Sequence, residues 1–203
     1  MAARGGKTFV EEMRSIAMKF HVGEFMDGKW EPTLEGYLQS LVDSQIVFAT
    51  LENIVLEAKH LAYVELRNTG LERKEKIEKD VIWFQEQGYP IPTPSPSGIA
   101  YSSYLEGISM GDPAAFVCHF YNIYFAHTAG GRIIGKKVSN KLLKNHELNF
   151  YKWDGELGQL MQNARERLNQ IAQNWSTEER RHCLEETKTS FHYSLQILNS
   201  IWR

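Results

Sequence analysis

The chain has 203 residues, 42% of them apolar and 24% charged, with a net charge of −2 at neutral pH. That length and composition fit one globular domain with a real core, and the slight acidity excludes a dedicated nucleic-acid binder, which needs a basic excess to neutralise phosphates. No apolar run approaches the roughly 18 residues of a membrane span. The two cysteines, Cys118 and Cys183, have no disulfide or metal-site spacing and read as small buried hydrophobes in a reducing compartment. Residues 1–7 are expected to form a disordered tail and residues 8–203 a single domain. The opening MAARGGK is too short for a transit or signal peptide, so any import address is expected outside these residues.

In chain order the sequence is helical, with neither an internal repeat nor sustained strand alternation. Thr8 and Glu11 form a capping box that starts a first helix. Its apolar residues Phe9, Met13, Ile16, Ala17 and Phe20 step by threes and fours toward an end near His21-Val22-Gly23. GEFMDGKWEP is a loop. Thr33 then caps a long second helix whose core face takes Leu34, Leu38, Leu41, Ile46, Leu51 and Val55. A short helix in the sixties ends at Asn68-Thr69-Gly70. ERKEKIEKDVIWFQEQ predicts an exposed helix closed by Gly88, its charge run a solvated face laced with i,i+4 pairs. YPIPTPSPSG holds four of the six prolines and predicts an irregular strap, with a short helix over 101–108 after it. Asp112-Pro113 supplies an N-cap and an N1 proline for the next helix. Asp154 and a Ser176/Glu179 capping box start two more, the last running on Leu184, Thr187, Phe191, Leu195 and Leu198 to about Trp202. About six to eight helices with short connections make an all-α single domain, a multi-helix bundle.

The helix opened by Asp112 carries FVCHFYNIYFAHTAGGRIIGKK, with two histidines and Gly130, Gly131 and Gly135. Glycine inside a helix costs about 1 kcal/mol relative to alanine. Bare backbone there serves either a flat ligand or close helix packing through Ala126, Ala129 and Gly130. His21 either caps the carbonyls at the end of the first helix or binds a metal. Arg14, two turns earlier on the same face, would then reach an anion roughly 10 Å away. Tyr121 fills the core or turns its hydroxyl to a carboxylate at a pocket edge. Arg165 or Arg167 is a solvated arginine or a bidentate carboxylate partner. His119 lies about 80° around the helix from His127 and is read as a surface or supporting residue. His182 is read as solvated, and His60, His146 and His192 lack ligand spacing. There is no HExxH, GxGxxG, Walker A or GxSxG pattern, and no cysteine set for an iron–sulfur cluster. A redox enzyme of this sequence therefore takes its electrons from a partner.

Six stretches together resemble one family: FVEEMRSIAMKFH, KWEPTLEGYL, NTGLER, CHFYNIYFAHTAGGRIIGKKV, FYKWDGEL and HCLEETKTSF. They span nearly all of residues 8–195, and the combination resembles heme oxygenase of the ferredoxin-dependent plant and algal type. The resemblance implies an all-α bundle with heme sandwiched between a proximal helix and a kinked distal one. It implies His21 as the iron ligand and Arg14, Tyr121 and Arg165 as propionate partners. Ala126, His127, Ala129, Gly130 and Gly131 would form the distal helix on the heme face, with Phe191 a contact from the last helix. Of these, His127, Gly130 and Gly131 would carry catalysis, with a water network near His127 supplying protons. His127 stands where animal and cyanobacterial members have aspartate, and Met161 where other members have a propionate-binding lysine. The His21–Trp30 loop looks shorter than in seed plants. The implied reaction opens heme b at the α-meso carbon with O2, giving biliverdin IXα, carbon monoxide and ferrous iron, with no flavin or iron–sulfur cluster of its own. Reduced ferredoxin is the implied donor, with Lys7, Arg132, Lys136, Lys137 and Lys144 a candidate patch. A bilin reductase and phytochrome chromophore synthesis lie downstream, in the plastid stroma. The alternatives are a non-catalytic tetrapyrrole-binding regulator on the same fold and a thiaminase-type helical enzyme, which would need a nucleophilic cysteine.

Overall fold

A computed structural model describes residues 6–20 and 29–202, and every regular element among them is helical. Helix α1 (Phe9–Ala17) opens on the expected capping box. The Thr8 hydroxyl accepts from the Glu11 amide and the Glu11 carboxylate accepts from the Thr8 amide. A 3-10 turn over Met18–Phe20 continues it. The predicted end at His21-Val22-Gly23 lies outside the described residues. Helix α2 (Leu34–Glu57) is capped by Thr33 as predicted, and α3 (Leu61–Val64) is followed by left-handed Asn68 and Gly70. Helix α4 (Lys74–Glu86) ends with left-handed Gly88.

The charge run of α4 is not wholly solvated. Arg73 and Asp80 are buried, at 1% and 0% exposure. They share one face with the buried Ile77 and Phe84, on spacings of four, three and four that the sequence displays. Glu52, buried on α2, supplies the cap that Arg73 itself does not: its carboxylate accepts from the Arg73 and Lys74 amides at the start of α4.

Helix α5 (Pro96–Gly111) begins five residues before the predicted Tyr101. Proline is compatible with a first helical position, and buried Asp43 of α2 seats that end. Its carboxylate takes the Ser95 amide at 2.7 Å and the Ser95 hydroxyl at 2.6 Å. Helix α6 (Pro113–Ala126) starts as expected, the Asp112 side chain accepting from the Ala115 amide. It is apolar and buried on every side. A π-helical turn, His127–Gly131, joins it to α7 (Arg132–Leu142). A 3-10 turn at Asn149–Tyr151 precedes α8 (Leu157–Gln173). The cap of α8 is Glu156 and not the predicted Asp154, which pairs instead with Lys76 at 3.0 Å. The Ser176/Glu179 box starts α9 (Thr177–Glu185), and α10 (Thr187–Leu198) closes the bundle with a 3-10 turn at Asn199–Trp202.

One hydrophobic core runs from Phe9 to Ile201. Helix α2 packs on α5, α6 on α5, α9 and α10, and α1 on α8 and α9. Cys118 and Cys183 are buried and free, as expected. No helix among the described residues is long and apolar enough to cross a membrane.

Candidate active site

The π-turn is a wall of a cavity among the described residues. The cavity lies between Phe20, α2, the α6–α7 junction, the 150–151 turn and α10, and is partly open to solvent. Ala126, His127, Gly130 and Gly131 line it, as does Phe191 of α10. Phe20 and Phe191 stack at 5.8 Å between ring centroids.

The two glycines serve space, not backbone freedom. Gly131 is helical, at φ −57° and ψ −39°. A Cβ added to it would stand 2.8 Å from His127 Nδ1. A Cβ added to Gly130 would meet no atom within 4 Å, so this residue offers bare backbone to the open cavity. Gly135, one turn on, lets the Tyr151 ring sit where a Cβ would lie 2.5 Å away. Ala129 is exposed and is not part of the cavity wall, against the expectation for the distal helix. The helical turn carries it to the outer side.

His127 is buried among Phe48, Phe150, Tyr151 and Trp153, with the Phe150 ring stacked 4.0 Å away. Its Nε2 donates to the Phe150 carbonyl at 2.8 Å. Burial, outweighing that hydrogen bond and reinforced by the nearby Arg73 charge, pushes its pKa down to about 3. The ring is thus neutral, protonated at Nε2, with the Nδ1 lone pair on the Gly131 side. Arg73 donates to the same Phe150 carbonyl at 3.1 Å and to that of Lys152 at 2.6 Å, its guanidinium lying 4.7 Å from the Trp153 ring. Asp80 accepts the Asn149 and Phe150 amides, each at 2.7 Å. Two buried charges of the α4 segment therefore fix the turn that fixes His127.

Tyr121 is buried and stacks on Phe125 at 4.6 Å. The Arg165 guanidinium stands 5.3 Å from the Phe125 ring. Burial raises the Tyr121 pKa, and the Arg165 and Arg14 charges both oppose the rise; none of the three residues lines the cavity. Arg167 is occupied elsewhere, on the Glu65 and Arg67 carbonyls. His119 is not a surface residue: it is wholly buried between Tyr101 and Glu186. His21 lies outside the described residues. Among the described residues, no group of three or more histidine, cysteine or acidic side chains could hold a metal ion.

The sequence profile of heme oxygenase matches residues 19–200. The chain belongs to the heme oxygenase family. It is 54% identical to heme oxygenase 1, chloroplastic, of Arabidopsis thaliana, across 96% of this chain and 74% of that one. It is 53% identical to the rice protein of the same name, across 97% and 72%. An Arabidopsis relative named a probable inactive heme oxygenase 2, chloroplastic, is 44% identical across 88% of this chain and 60% of its own length. Among solved structures, the heme oxygenase of Leptospira interrogans aligns with a TM-score of 0.80 at 21% identity, covering 96% of this chain and all of that one. Heme oxygenase-1 of the cyanobacterium Synechocystis, solved in complex with heme, aligns with a TM-score of 0.80 at 18% identity, across 95% and 91%. At such identities these structures speak for the fold.

Heme oxygenase membership poses a test of fit. A porphyrin is flat and apolar, with two carboxylates on one edge. The cavity offers mainly apolar walls and bare backbone at Gly130, and Tyr121, on the helix bearing that wall, feels the charges of Arg14 and Arg165. The residues present fit the group.

Proposed function

We propose that this chain binds heme in the cavity at the π-turn and opens it oxidatively at the α-meso carbon, giving biliverdin IXα, carbon monoxide and ferrous iron. The carrying observation is Gly130, whose missing Cβ leaves open space in the wall of the cavity that Phe191 also lines. When bound, heme is both substrate and the group that activates dioxygen. His21 is the ligand we assign to its iron, on the resemblance of FVEEMRSIAMKFH to the family's proximal helix. Arg14, Tyr121 and Arg165 hold the propionates by charge and hydrogen bonding, and so set the rotation that decides which meso carbon is attacked. Gly131 leaves room for the His127 ring, and that ring ties the π-turn to the Phe150 carbonyl. His127 thus positions the wall, and as a neutral ring bonded to a carbonyl it is no proton source. Phe20 and Phe191, stacked on each other at the cavity wall, would keep water from a bound porphyrin.

Electrons are assigned to reduced ferredoxin. Arg132 and Lys136 are exposed on α7 beside cavity residues Ile133 and Ile134 and suit an acidic partner, as does exposed Lys144. Lys137 is committed to the Trp30 carbonyl and ring, and Lys7 to the Ser15 hydroxyl. Plastid residence is supported by the chloroplastic relatives; the stroma, and supply of biliverdin to a bilin reductase for phytochrome chromophore, are assigned on the sequence resemblance.

Hemin should give a Soret band at one equivalent, and reduced ferredoxin in air should convert it to a biliverdin spectrum, more slowly as salt rises. A stable Soret band without biliverdin would make the chain a tetrapyrrole-binding protein without turnover.

A further inference from the structure

Reduction of dioxygen consumes protons, and His127 is not built to give them. The polar end of the same cavity is different. Tyr101, Asn122, Ser190 and Ser194 line it within otherwise mainly apolar walls. Ser190 is wholly buried, and its hydroxyl has no hydrogen-bond partner in the protein. A buried hydroxyl on a cavity wall without a protein partner is a place for water. Ser190 and Ser194 line the same cavity as Tyr101, so water held there can join them to the phenol. Behind that phenol the chain of polar atoms continues without a gap. Tyr101 Oη is 2.7 Å from His119 Nδ1, and His119 Nε2 is 2.9 Å from Glu186 Oε1. The Glu186 side chain, at the junction of α9 and α10, is 13% exposed and meets solvent. Three helical segments thus contribute one link each, and the links join the cavity to the surface.

We propose that Ser190 and Ser194, Tyr101, His119 and Glu186 form a proton conduit into the cavity. The inference rests on the oxygenase reading above and extends it to the source of protons. Burial of Glu186 is outweighed by hydrogen bonds from His119 and Tyr104, which keep it a carboxylate at rest; delivery starts when that carboxylate takes up a proton from bulk water. Its proton passes to His119 Nε2, the Nδ1 proton passes to Tyr101 Oη, and the phenol proton passes to cavity water held at Ser190 and Ser194. One proton leaves the surface, one arrives in the cavity, and Glu186 remains a carboxylate. Rotation of the Tyr101 hydroxyl and exchange of the His119 tautomer reset the chain. Glu186 is faced by Tyr104 of α5, whose hydroxyl donates to the same carboxylate oxygen, by His119 of α6, and by His182 of α9. His182 is itself paired with Asp112 at 2.7 Å. The charged neighbours at the conduit mouth include His182, its partner Asp112, and Glu185 beside it.

Tyr101→Phe removes one hydroxyl and keeps the ring that stacks 4.9 Å from Tyr193. Glu186→Gln keeps the acceptor and removes the acid. Both should bind hemin with wild-type affinity and Soret position. Both should lower kcat for biliverdin formation by about tenfold or more, in the range of a lost proton-transfer group, leave KM unchanged, and enlarge the solvent isotope effect. In the hemin-free wild type, nitrogen NMR of His119 should show a neutral ring with its proton on Nε2, donated to the Glu186 carboxylate. Wild-type turnover and isotope effect in Tyr101→Phe overturn the conduit, as does a loss of activity that merely tracks hemin affinity or thermal stability. If the wild-type protein makes no biliverdin from hemin, the oxygenase reading itself fails and the conduit with it. Normal wild-type turnover beside an unimpaired Tyr101→Phe refutes the conduit alone.

Discussion

Burial decides what His127 can do in neutral water. Its charged form is excluded until pH falls to about 3, whereas in the unfolded chain it protonates near 6.5. Below that higher value the unfolded state binds the extra proton, so stability falls as the solution is acidified, by up to about 1.4 kcal/mol per pH unit. Glu52 works the other way. Burial, outweighing its hydrogen bonds from Arg73, Lys74 and Tyr124, raises its pKa from 4.5 to about 7. The folded state then holds the extra proton, and stability falls as pH rises through that window. The two slopes oppose each other between 4.5 and 6.5. Urea unfolding of Glu52→Gln should therefore lose stability on acidification more steeply than wild type, and His127→Phe less steeply. The glycine pair gives a second contrast. Gly130→Ala should fold as well as wild type, or gain up to about 1 kcal/mol, and lose hemin binding, because its methyl enters the cavity. Gly131→Ala should lower the thermal midpoint, because its methyl meets the His127 ring. Sequence spacing singled out both glycines and His127. It could not tell their tasks apart, because the partner that fixes His127 stands 23 residues away at Phe150.

At the scale of elements, the cavity wall is held from behind. The Asn149–Tyr151 turn donates two amides to Asp80, gives a carbonyl to Arg73 and His127 together, and joins the Tyr151 and Tyr37 hydroxyls at 2.8 Å. Burial lowers the Arg73 pKa to about 10, so the guanidinium stays charged at neutral pH. Arg73→Met would orphan the Lys152 carbonyl and leave Glu52 without its compensating charge. We expect a loss of about 3 kcal/mol in urea unfolding, part of it restored by Arg73→Lys. A loss below about 0.5 kcal/mol, the size of an exposed pair, would show that the clamp is ornamental. Much at this scale was legible in sequence, because caps are local: Thr8, Thr33, Asp112 and Ser176 each act within three residues. Misreadings fell where a distant side chain intervened. Asp43 starts α5 early at Pro96, Lys76 takes Asp154 from its expected cap, and Glu52 caps α4. The π-turn lies beyond sequence reading for the same reason: its register is set by what His127 meets across the fold.

Over the whole molecule, the cavity gathers walls from both ends of the chain, from Phe20 to Ile201. Periodicity gave the all-α class, because each helix shows its own apolar stripe, but no local signal says which stripes enclose a void. A ligand bound there ties α2, the α6–α7 junction and α10 together and stabilises only the folded state. At a free hemin concentration of 100 times the dissociation constant, the gain is about 2.7 kcal/mol. In a chain of 203 residues that is a rise in thermal midpoint of roughly 5–10 °C. The rise should shrink in His21→Ala, through loss of the bond to iron, and in Arg14→Ala combined with Arg165→Ala, through loss of the propionate charges. It should vanish in Gly130→Ala, whose apo midpoint is expected to be intact. An undiminished rise in Gly130→Ala would place hemin outside this cavity, and would remove the geometric basis for assigning the oxygenase chemistry to the π-turn.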